Sequence, residues 1–422
     1  MCQSAFPALL VALAAAACGS PDDSVAADAG GDARPSPQPT GEITFIVVVD
    51  GDVPSPVTVM THDDRGVLAW RADAGRGGTF TLPADAGYSV SVVSIDPINV
   101  AWHDVYTIFG VTPGVTYRHQ VTHPGLPHGE VVVPVPANVT APLVEIQVAG
   151  VSASVVGGGP ATVTLLRSAA EVGVTPIVWA AYDVDGNPLG VSAAVIDARS
   201  PPTIAPDFAT PASVTWSGGG DPRLDAVLRI DGDVAWLPGF DPTGSVRGRA
   251  HTMPSLGIEH WLMAELVEGD RVRYLVESFA AVPAIWGLGA RPLRTPTVYE
   301  LGVLPDNVRW YIDGGGGFDG YVIAGYAGRS GPDRGAMWSA IAPPDVTIAY
   351  WPALPADLDV YWTAPVAAVT AYDSDDLDGW AALSSSGEAW GPCPGSRVET
   401  SGRSAPLVPP DGAHPGAPCP GP

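Results

Sequence analysis

Short apolar runs alternate with polar positions along most of the chain, from residue 42 to about residue 385. Ile43–Val49 and Tyr88–Val93 are rich in β-branched and aromatic residues, and Gly, Pro and Asp separate such runs at intervals of about 8 to 12 residues. A period of two is typical of strands that bury one face. With 45 Pro, 50 Gly and no long stretch of period 3.6, the sequence predicts an all-β fold with very little helix outside its N-terminal segment.

Turn-rich stretches divide this region into three segments. We expect a β-sandwich at 42–126, an Ig-like β-sandwich at 127–210 and a larger all-β domain at 211–389, that is, two to three antiparallel β-sandwich domains in tandem. The stretch from Pro201 to Pro211 marks the second boundary. Residues 390–422 are rich in Pro and Gly and predict a coil tail.

One stretch, Glu259–Val267, has an apolar pattern that would also fit a short helix. The turn residues Glu268–Asp270 follow it directly, and Arg271–Glu277 then returns with strand alternation. A β-hairpin is therefore the better prediction.

The first eighteen residues contain an apolar run that ends in small residues and a cysteine. Phe6–Ala17 is about twelve residues long, too short to cross a hydrocarbon layer of ~30 Å but suited to a signal peptide at 1–17. Its end, Ala15 to Cys18, resembles the lipobox of bacterial lipoproteins, although Ala15 stands where Leu is usual. The resemblance implies lipidation of Cys18 and attachment to the outer membrane or cell surface. A plain signal peptide, giving a periplasmic or secreted protein, is the alternative.

Residues 18–41 follow with almost no large apolar side chains. Four Asp and one Arg lie among Pro, Ser, Gly and Ala. Such a segment cannot bury enough apolar surface to offset its ordering entropy, so we predict a disordered tether.

Within 42–126, the order of strand, turn and the sequence Gly78–Val93 resembles the carboxypeptidase-regulatory or transthyretin-like sandwiches of secreted bacterial proteins. The resemblance implies an accessory module without an active site of its own.

Charge excludes one class of partner. The chain carries 45 acidic and 20 basic residues, every one of the latter Arg, for a net charge of −25. Because binding to phosphates needs a basic surface, nucleic acid is not an expected partner. The lack of Lys excludes Schiff-base, Ser-Lys and P-loop chemistry.

The cysteines agree with export. With Cys2 in the predicted signal peptide and Cys18 as the lipid site, Cys393 and Cys419 are left, and we expect them to form a disulfide in an oxidising compartment.

An acidic run near the end of the β-rich region suggests a metal site. Asp373, Asp375, Asp376 and Asp378 resemble a calcium loop, so calcium is the one cofactor for which the sequence offers candidate ligands. Ser385 stands where the bidentate Glu of an EF-hand belongs, and ordinary turn chemistry is the alternative.

Aromatic pairs suggest a ligand site. Trp310, Trp351 and Trp362 each adjoin a Tyr, so one ring of each pair faces each side of a strand. Exposed rings beside Asp residues would suit stacking on sugars, whereas buried rings would simply fill the core.

Catalytic motifs are absent from the sequence: there is no GxSxG, HExxH, P-loop or GxGxxG after a strand. The sequence therefore favours a lipid-anchored extracytoplasmic protein that acts as a binding or structural module, with the membrane and a glycan or protein as partners. A carbohydrate-binding module or a glycan-active enzyme with an unrecognised carboxylate pair is the alternative.

Overall fold

In the computed structural model, the described residues are 39–50, 57–75, 77–95, 102–122, 129–134, 141–148, 151–156, 160–165, 172–185, 188–200, 207–210, 212–217, 220, 222–230, 233–237, 249–252, 259–269, 271–287, 295–301, 307–312, 317–328, 335–358, 366–386, 392–393 and 395–403. All of them belong to one unit of the chain, residues 38–422. The predicted signal peptide at 1–17 and nearly all of the predicted tether at 18–41 lie outside the described residues.

The described elements are almost all strands, which confirms the predicted all-β class. They are β1 (Glu42–Asp50), β2 (Val57–His62), β3 (Leu68–Asp73), β4 (Gly77–Pro83), β5 (Ser89–Ile95), β6 (Trp102–Ile108), β7 (Thr116–Thr122), β8 (Gly129–Pro134), β9 (Leu143–Val148), β10 (Val151–Val156), β11 (Pro160–Leu165), β12 (Val174–Tyr182), β13 (Pro188–Asp197), β14 (Ala212–Trp216), β15 (Arg223–Ile230), β16 (Asp233–Leu237), β17 (Arg249–Thr252), β18 (Glu259–Glu268), β19 (Arg271–Phe279), β20 (Ile285–Trp286), β21 (Thr297–Leu301), β22 (Asn307–Tyr311), β23 (Gly320–Gly328), β24 (Gly335–Ala342), β25 (Ile348–Tyr350), β26 (Val366–Ser374) and β27 (Arg397–Arg403), with a 3₁₀ turn at Ala356–Leu358 and a helix, α1, at Gly379–Ser386.

A twelve-stranded sheet dominates the fold. Its order is β16-β15-β18-β19-β27-β26-β23-β24-β6-β5-β2-β3. β6 and β24 pair in parallel, so strands from the predicted segments 42–126 and 211–389 share one sheet. The two segments that were predicted as separate domains are therefore joined by hydrogen bonds within one sheet.

From β26 to β2, this sheet is covered on both faces. The three-stranded sheet β4-β1-β7 contributes Phe45 to a core with Val59 and Val92 of the large sheet. On the opposite face, the sheet β21-β22-β25 contributes Trp310 to a core that holds Met60. Burial on both faces explains why β2 is buried along its whole length instead of alternating.

The segment predicted as an Ig-like sandwich does form two facing sheets. The pair β11-β8 packs on the four-stranded sheet β10-β9-β12-β13. Val163 from the first sheet and Ile146 and Trp179 from the second lie in the shared core. The outer face of β12 and β13 joins a further core with β14, β15, β18, β19 and β20.

The predicted hairpin at 259–277 is confirmed, since β18 and β19 pair antiparallel from His260 with Phe279 to Glu268 with Arg271. Gly269 has a φ of 65°, in the left-handed region that favours glycine at a turn.

The coil predicted from residue 390 onward is wrong for Arg397–Arg403. These residues form β27, a central strand between β19 and β26. Their sequence, RVETSGR, has one large apolar residue and therefore lacks the hydrophobic signal of a buried strand. Within the described residues, no helix is long and apolar enough to cross a membrane.

Candidate functional site

Two ion pairs join β27 to β19. Arg273 Nη2 donates to Glu399 Oε1 at 2.5 Å, and both side chains are nearly buried. Arg397 Nη2 donates to Glu277 Oε2 at 2.9 Å. Because these residues alternate along both strands, all four lie on one face of the sheet. Together with Asp373 of β26, we call them the charged seam.

Asp373 completes the seam from the other side of β27. It lies directly opposite Glu399 in the antiparallel register, a position in which Cβ atoms are ~5 Å apart. Burial raises the pKa of Asp373 to about 6, and the carboxylates of Asp319, Glu399 and Asp375 add to the effect. The carboxyl group of Asp373, which gains a proton near pH 6, therefore faces the carboxylate of Glu399, which is paired with the guanidinium of Arg273.

A second carboxylate, Asp319, organises the end of β26. Its Oδ2 accepts a hydrogen bond from the backbone N–H of Ser374 at 2.8 Å, and its Oδ1 accepts one from Gly379 at 3.0 Å. Burial raises the pKa of Asp319, whereas these hydrogen bonds lower it. Asp319 thus fixes the turn that leads into α1.

A third carboxylate joins this turn to the start of β27. Asp376 Oδ2 accepts hydrogen bonds from the backbone N–H of Cys393, at 2.8 Å, and from the hydroxyl of Ser396. The backbone N–H of Ser396 in turn donates to the carbonyl of Cys393 at 2.9 Å. Asp376 of the acidic run is therefore engaged in holding a turn, which is the alternative that the composition of the run allowed.

The four predicted calcium ligands do not form a metal centre. Asp373 lies in β26, Asp376 holds the turn before β27, and Asp375 and Asp378 are exposed. Among the described residues, no group of three or more His, Cys, Asp or Glu side chains is arranged to hold a metal ion. The calcium prediction gains no support from this geometry.

The predicted sugar-stacking residues Trp310 and Trp351 are core residues, so for them the prediction is wrong. Trp310 is fully buried and packs edge-on against Tyr321, with ring centroids 5.2 Å apart. Trp351 lies against Trp338 at 4.2 Å. Rings this large fill the space between the large sheet and β22. The third predicted residue, Trp362, lies outside the described residues.

Seven of the nine tryptophans whose exposure the structure describes are buried, and the other two are half-buried. The buried ones are Trp179, Trp216, Trp261, Trp286, Trp310, Trp338 and Trp351; the half-buried ones are Trp70 and Trp380. The described surface thus offers no flat platform of exposed indoles on which a sugar could stack.

A buried polar chain crosses four strands beside the same core. Trp338 Nε1 donates to Thr107 Oγ1 at 3.0 Å, Thr107 lies 3.0 Å from Ser91 Oγ, and Ser91 lies 3.4 Å from His62 Nδ1. His62 Nε2 reaches the carbonyl of Ala353 at 3.2 Å. Burial lowers the pKa of His62 to about 4, so the ring is neutral at physiological pH.

The Ser91–His62 contact has the residue types of a nucleophile and its base, but no access. Both side chains are fully buried, so a substrate cannot reach the serine hydroxyl in this conformation. We therefore interpret this series of hydrogen bonds as a means of giving buried polar groups hydrogen-bond partners inside the core.

The charged seam was not found by sequence reasoning. Two of its carboxylates, Asp373 and Glu399, are 26 positions apart, and Arg273 precedes both by a hundred residues or more. One weak signal was present, since the alternation Arg397, Glu399, Ser401 places charges on one face of a strand. Cys18 and Cys419 lie outside the described residues, so lipidation and the disulfide remain predictions.

Comparisons with known proteins place the chain in no family. No protein-family model and no curated protein matches it. Among solved structures, the FN1–FN3 domains of chicken CNTN1 match at 11% identity and a TM-score of 0.13, over 68% of this chain and 88% of that one. Escherichia coli alpha-2-macroglobulin activated by porcine elastase matches at 10% identity and a TM-score of 0.12, over 78% of this chain and 42% of that one. TM-scores this low carry no argument about function.

Proposed function

We propose that the protein is a lipid-anchored, extracytoplasmic β-sheet module with a binding or structural role at the outer membrane or cell surface. In this proposal Cys18 is the anchored residue, and the acidic stretch 18–41 is the spacer that separates the body from the membrane. Two or three acyl chains would hold the chain stably, because each buried CH₂ contributes roughly 0.8 kcal/mol.

One observation carries the structural role. From β26 to β2 the large sheet is covered on both faces, and three of its groups that could do chemistry are engaged: His62 and Ser91 are buried, and Glu399 is paired with Arg273. The interior of the sheet is therefore rigidly packed. Such a body suits presentation of a surface better than turnover of a substrate.

Exposed rings were one basis of the glycan alternative, and that basis fails for Trp310 and Trp351, which are core residues. We therefore take the binding or structural role as the proposed function.

Metabolic labelling tests the anchor. The full chain, produced in a bacterium that processes lipoproteins and supplied with an alkyne fatty acid, is expected to carry the label. Its intact mass should correspond to a chain that begins at Cys18 and carries acyl groups.

Two variants sharpen the test. Cys18→Ala is expected to lose the label and leave the membrane fraction, whereas Cys2→Ala should keep both, because Cys2 belongs to the predicted signal peptide. An unlabelled wild-type chain with an N-terminus at residue 18, or a label that persists in Cys18→Ala, would overturn the anchor. Protease treatment of intact cells then separates the surface from the periplasm.

Export also makes the cysteine prediction testable. If Cys393 and Cys419 form a disulfide, non-reducing peptide mapping of the exported chain yields a linked pair. Free thiols at both positions would contradict the pairing.

A further inference from the structure

One face of the β18–β19 hairpin carries a buried apolar row. Met263 of β18 lies directly opposite Val276 of β19, and Val276 lies directly opposite Val398 of β27. Met263 and Val276 are 7% and 6% exposed. Trp261, two residues along on the same face, is 6% exposed and donates its indole N–H to Glu259. We call Trp261, Met263 and Val276 the apolar row.

Among the described residues, the apolar cover of this face ends at β27. Val398 belongs to the core that Leu383 of α1 completes, whereas its neighbours Met263 and Val276 belong to none of the four cores that the described residues form. The opposite face of the hairpin is occupied, since Leu262 packs in the core with β12 and β14. The burial of the apolar row therefore requires a cover that these cores do not supply.

The C-terminal tail, which we define as residues 404–422, begins at one end of this face. β27 ends at Arg403, which pairs with Arg271 beside the turn of the hairpin. Seven of the nineteen tail residues are Pro, and Leu407 and Val408 are its two large aliphatic residues. A Pro-rich segment favours an extended conformation and lacks the N–H groups of a new strand, so it packs through its side chains, often on aromatic rings.

Cys393 lies at the other end of the same face. The carbonyl of Ser396 accepts a hydrogen bond from the N–H of Ser278 at 3.0 Å, and Ser278 is directly opposite Trp261. The N–H of Ser396 donates to the carbonyl of Cys393 at 2.9 Å, which closes the turn before β27. A tail bonded to Cys393 through Cys419 must therefore run back along the length of β27.

The length of the tail permits this path. The ends of β27 are ~20 Å apart at ~3.3 Å per residue. The sixteen residues from Arg403 to Cys419 reach about 53 Å when extended. Because described strands already pack on the opposite face of the hairpin, the face with the apolar row is the one on which the tail can return.

We propose that the C-terminal tail folds back across the apolar row, with Leu407 and Val408 against it, and that a disulfide between Cys393 and Cys419 holds it there. The two thiols form the S–S bond by giving two electrons and two protons to a protein disulfide of the oxidising compartment, whose own S–S bond breaks to a dithiol. Reduction releases the tail and uncovers the apolar row, which makes the tail a redox-sensitive strap. The proposal goes beyond the proposed function, and it holds whether or not Cys18 is acylated.

Methionine oxidation measures the cover of the apolar row. The full, disulfide-bonded chain is treated briefly with hydrogen peroxide, and the sulfoxide at each Met is quantified by peptide mass spectrometry. We expect Met263 to react about tenfold more slowly than the exposed Met337, while the fully buried Met60 reports that the sheet stays folded. Reducing the disulfide with a phosphine, alkylating the thiols and removing the reagents should raise the rate at Met263 about tenfold and leave the other two rates unchanged.

Two variants separate docking of the tail from the disulfide. The double variant Leu407→Asp, Val408→Asp keeps the disulfide but places charges against the apolar row, so Met263 should become reactive. Gly421→Asp, which lies beyond Cys419, is the matched control and should leave Met263 protected. Both variants change residues outside the described strands, so the contacts of the sheet itself are retained.

Each result decides one part of the proposal. A reactive Met263 in the double variant supports docking of the tail, whereas a protected one would show that another segment covers the apolar row and would overturn it. A Met263 that already reacts as fast as Met337 in the wild type would overturn it as well. On reduction of the wild type, exposure of Met263 supports the clamp and unchanged protection contradicts it. Acylation of Cys18 affects none of these outcomes.

Discussion

Asp373 of β26 is the direct register partner of Glu399 of β27, so two carboxylates face each other across a central strand pair of the twelve-stranded sheet. Like charges in this position destabilise a sheet. The pKa of Asp373 is about 6 in the fold and near 3.8 when the chain is unfolded. The fold therefore disfavours the ionised form, and the native state loses stability as the pH rises from about 4 through 6.

Asp373→Asn should remove this pH dependence. At pH 7.5 we expect the variant to be more stable than the wild type by about 1 kcal/mol, a figure reduced because the carboxyl is half-buried. Near pH 4 the two chains should differ little. Urea unfolding at both pH values measures the difference, and a variant that is less stable than the wild type at pH 7.5 would contradict it.

Arg273 makes the opposite kind of contact with Glu399. Because both side chains are nearly buried, removal of one partner leaves an uncompensated charge inside the sheet. Arg273→Met should therefore lower the free energy of unfolding by about 3 to 5 kcal/mol. Arg199→Met, which breaks the exposed pair with Asp197, should change it by less than about 1 kcal/mol. Equal effects in urea unfolding would show that the seam pair is not buried in solution.

The local hairpins could be predicted from the sequence, because their information is local. In β18 and β19, the turn residues and both alternating runs lie within about twenty positions, and the pairing follows from them. The composition of these runs likewise indicated an all-β chain. What this pattern cannot specify is which distant hairpins lie side by side.

β27 shows the limit most clearly. Its polar sequence becomes a central strand because β19 and β26 supply its hydrogen bonds and β19 supplies the partners of its two ion pairs. β19 ends more than a hundred residues before β27 begins, and α1 lies between β26 and β27 in the sequence. The parallel pairing of β6 with β24 is equally non-local, since more than two hundred residues separate the strands. Tertiary context overrides local propensity in such cases.

The prediction of a ligand site at Trp310 and Trp351 was wrong for a related reason. Trp310 lies on β22 and Trp351 directly follows β25, but which of the two rings in each pair is buried depends on a neighbouring sheet that the pattern does not reveal. For Trp310 and Tyr311 the expected division holds, since Trp310 is buried and Tyr311 is 44% exposed. Period-two alternation gives two faces without saying which one is covered.

His62 gives the chain a second titration, opposite in sign to that of Asp373. Its pKa is about 4 in the fold and near 6.5 when unfolded. The neutral ring is stabilised by the fold, so its contribution is complete above pH 6.5 and is lost as the pH falls towards 4. The loss by pH 4 should reach about 3 kcal/mol.

His62→Gln removes the titrating ring and should flatten this acid dependence in urea unfolding, at the expense of some stability at pH 7.5. Ser91→Ala is the matched control: it removes a neighbour of the ring, should cost stability, and should leave the slope between pH 6.5 and 4 in place. If the histidine variant kept the wild-type slope, the acid sensitivity would have to come from another group.

Gly325 allows Trp351 to pack against β23. A Cβ at this glycine would lie 2.5 Å from Cη2 of Trp351 and 3.1 Å from Cε3 of Trp338. Gly325→Ala should therefore displace the indole and lower the free energy of unfolding by about 1 to 3 kcal/mol, with a change in near-ultraviolet circular dichroism. Trp351→Leu removes the ring that collides, so the same Gly325→Ala substitution should cost less in that background. Equal costs in the two backgrounds would show that the indole does not lie over Gly325.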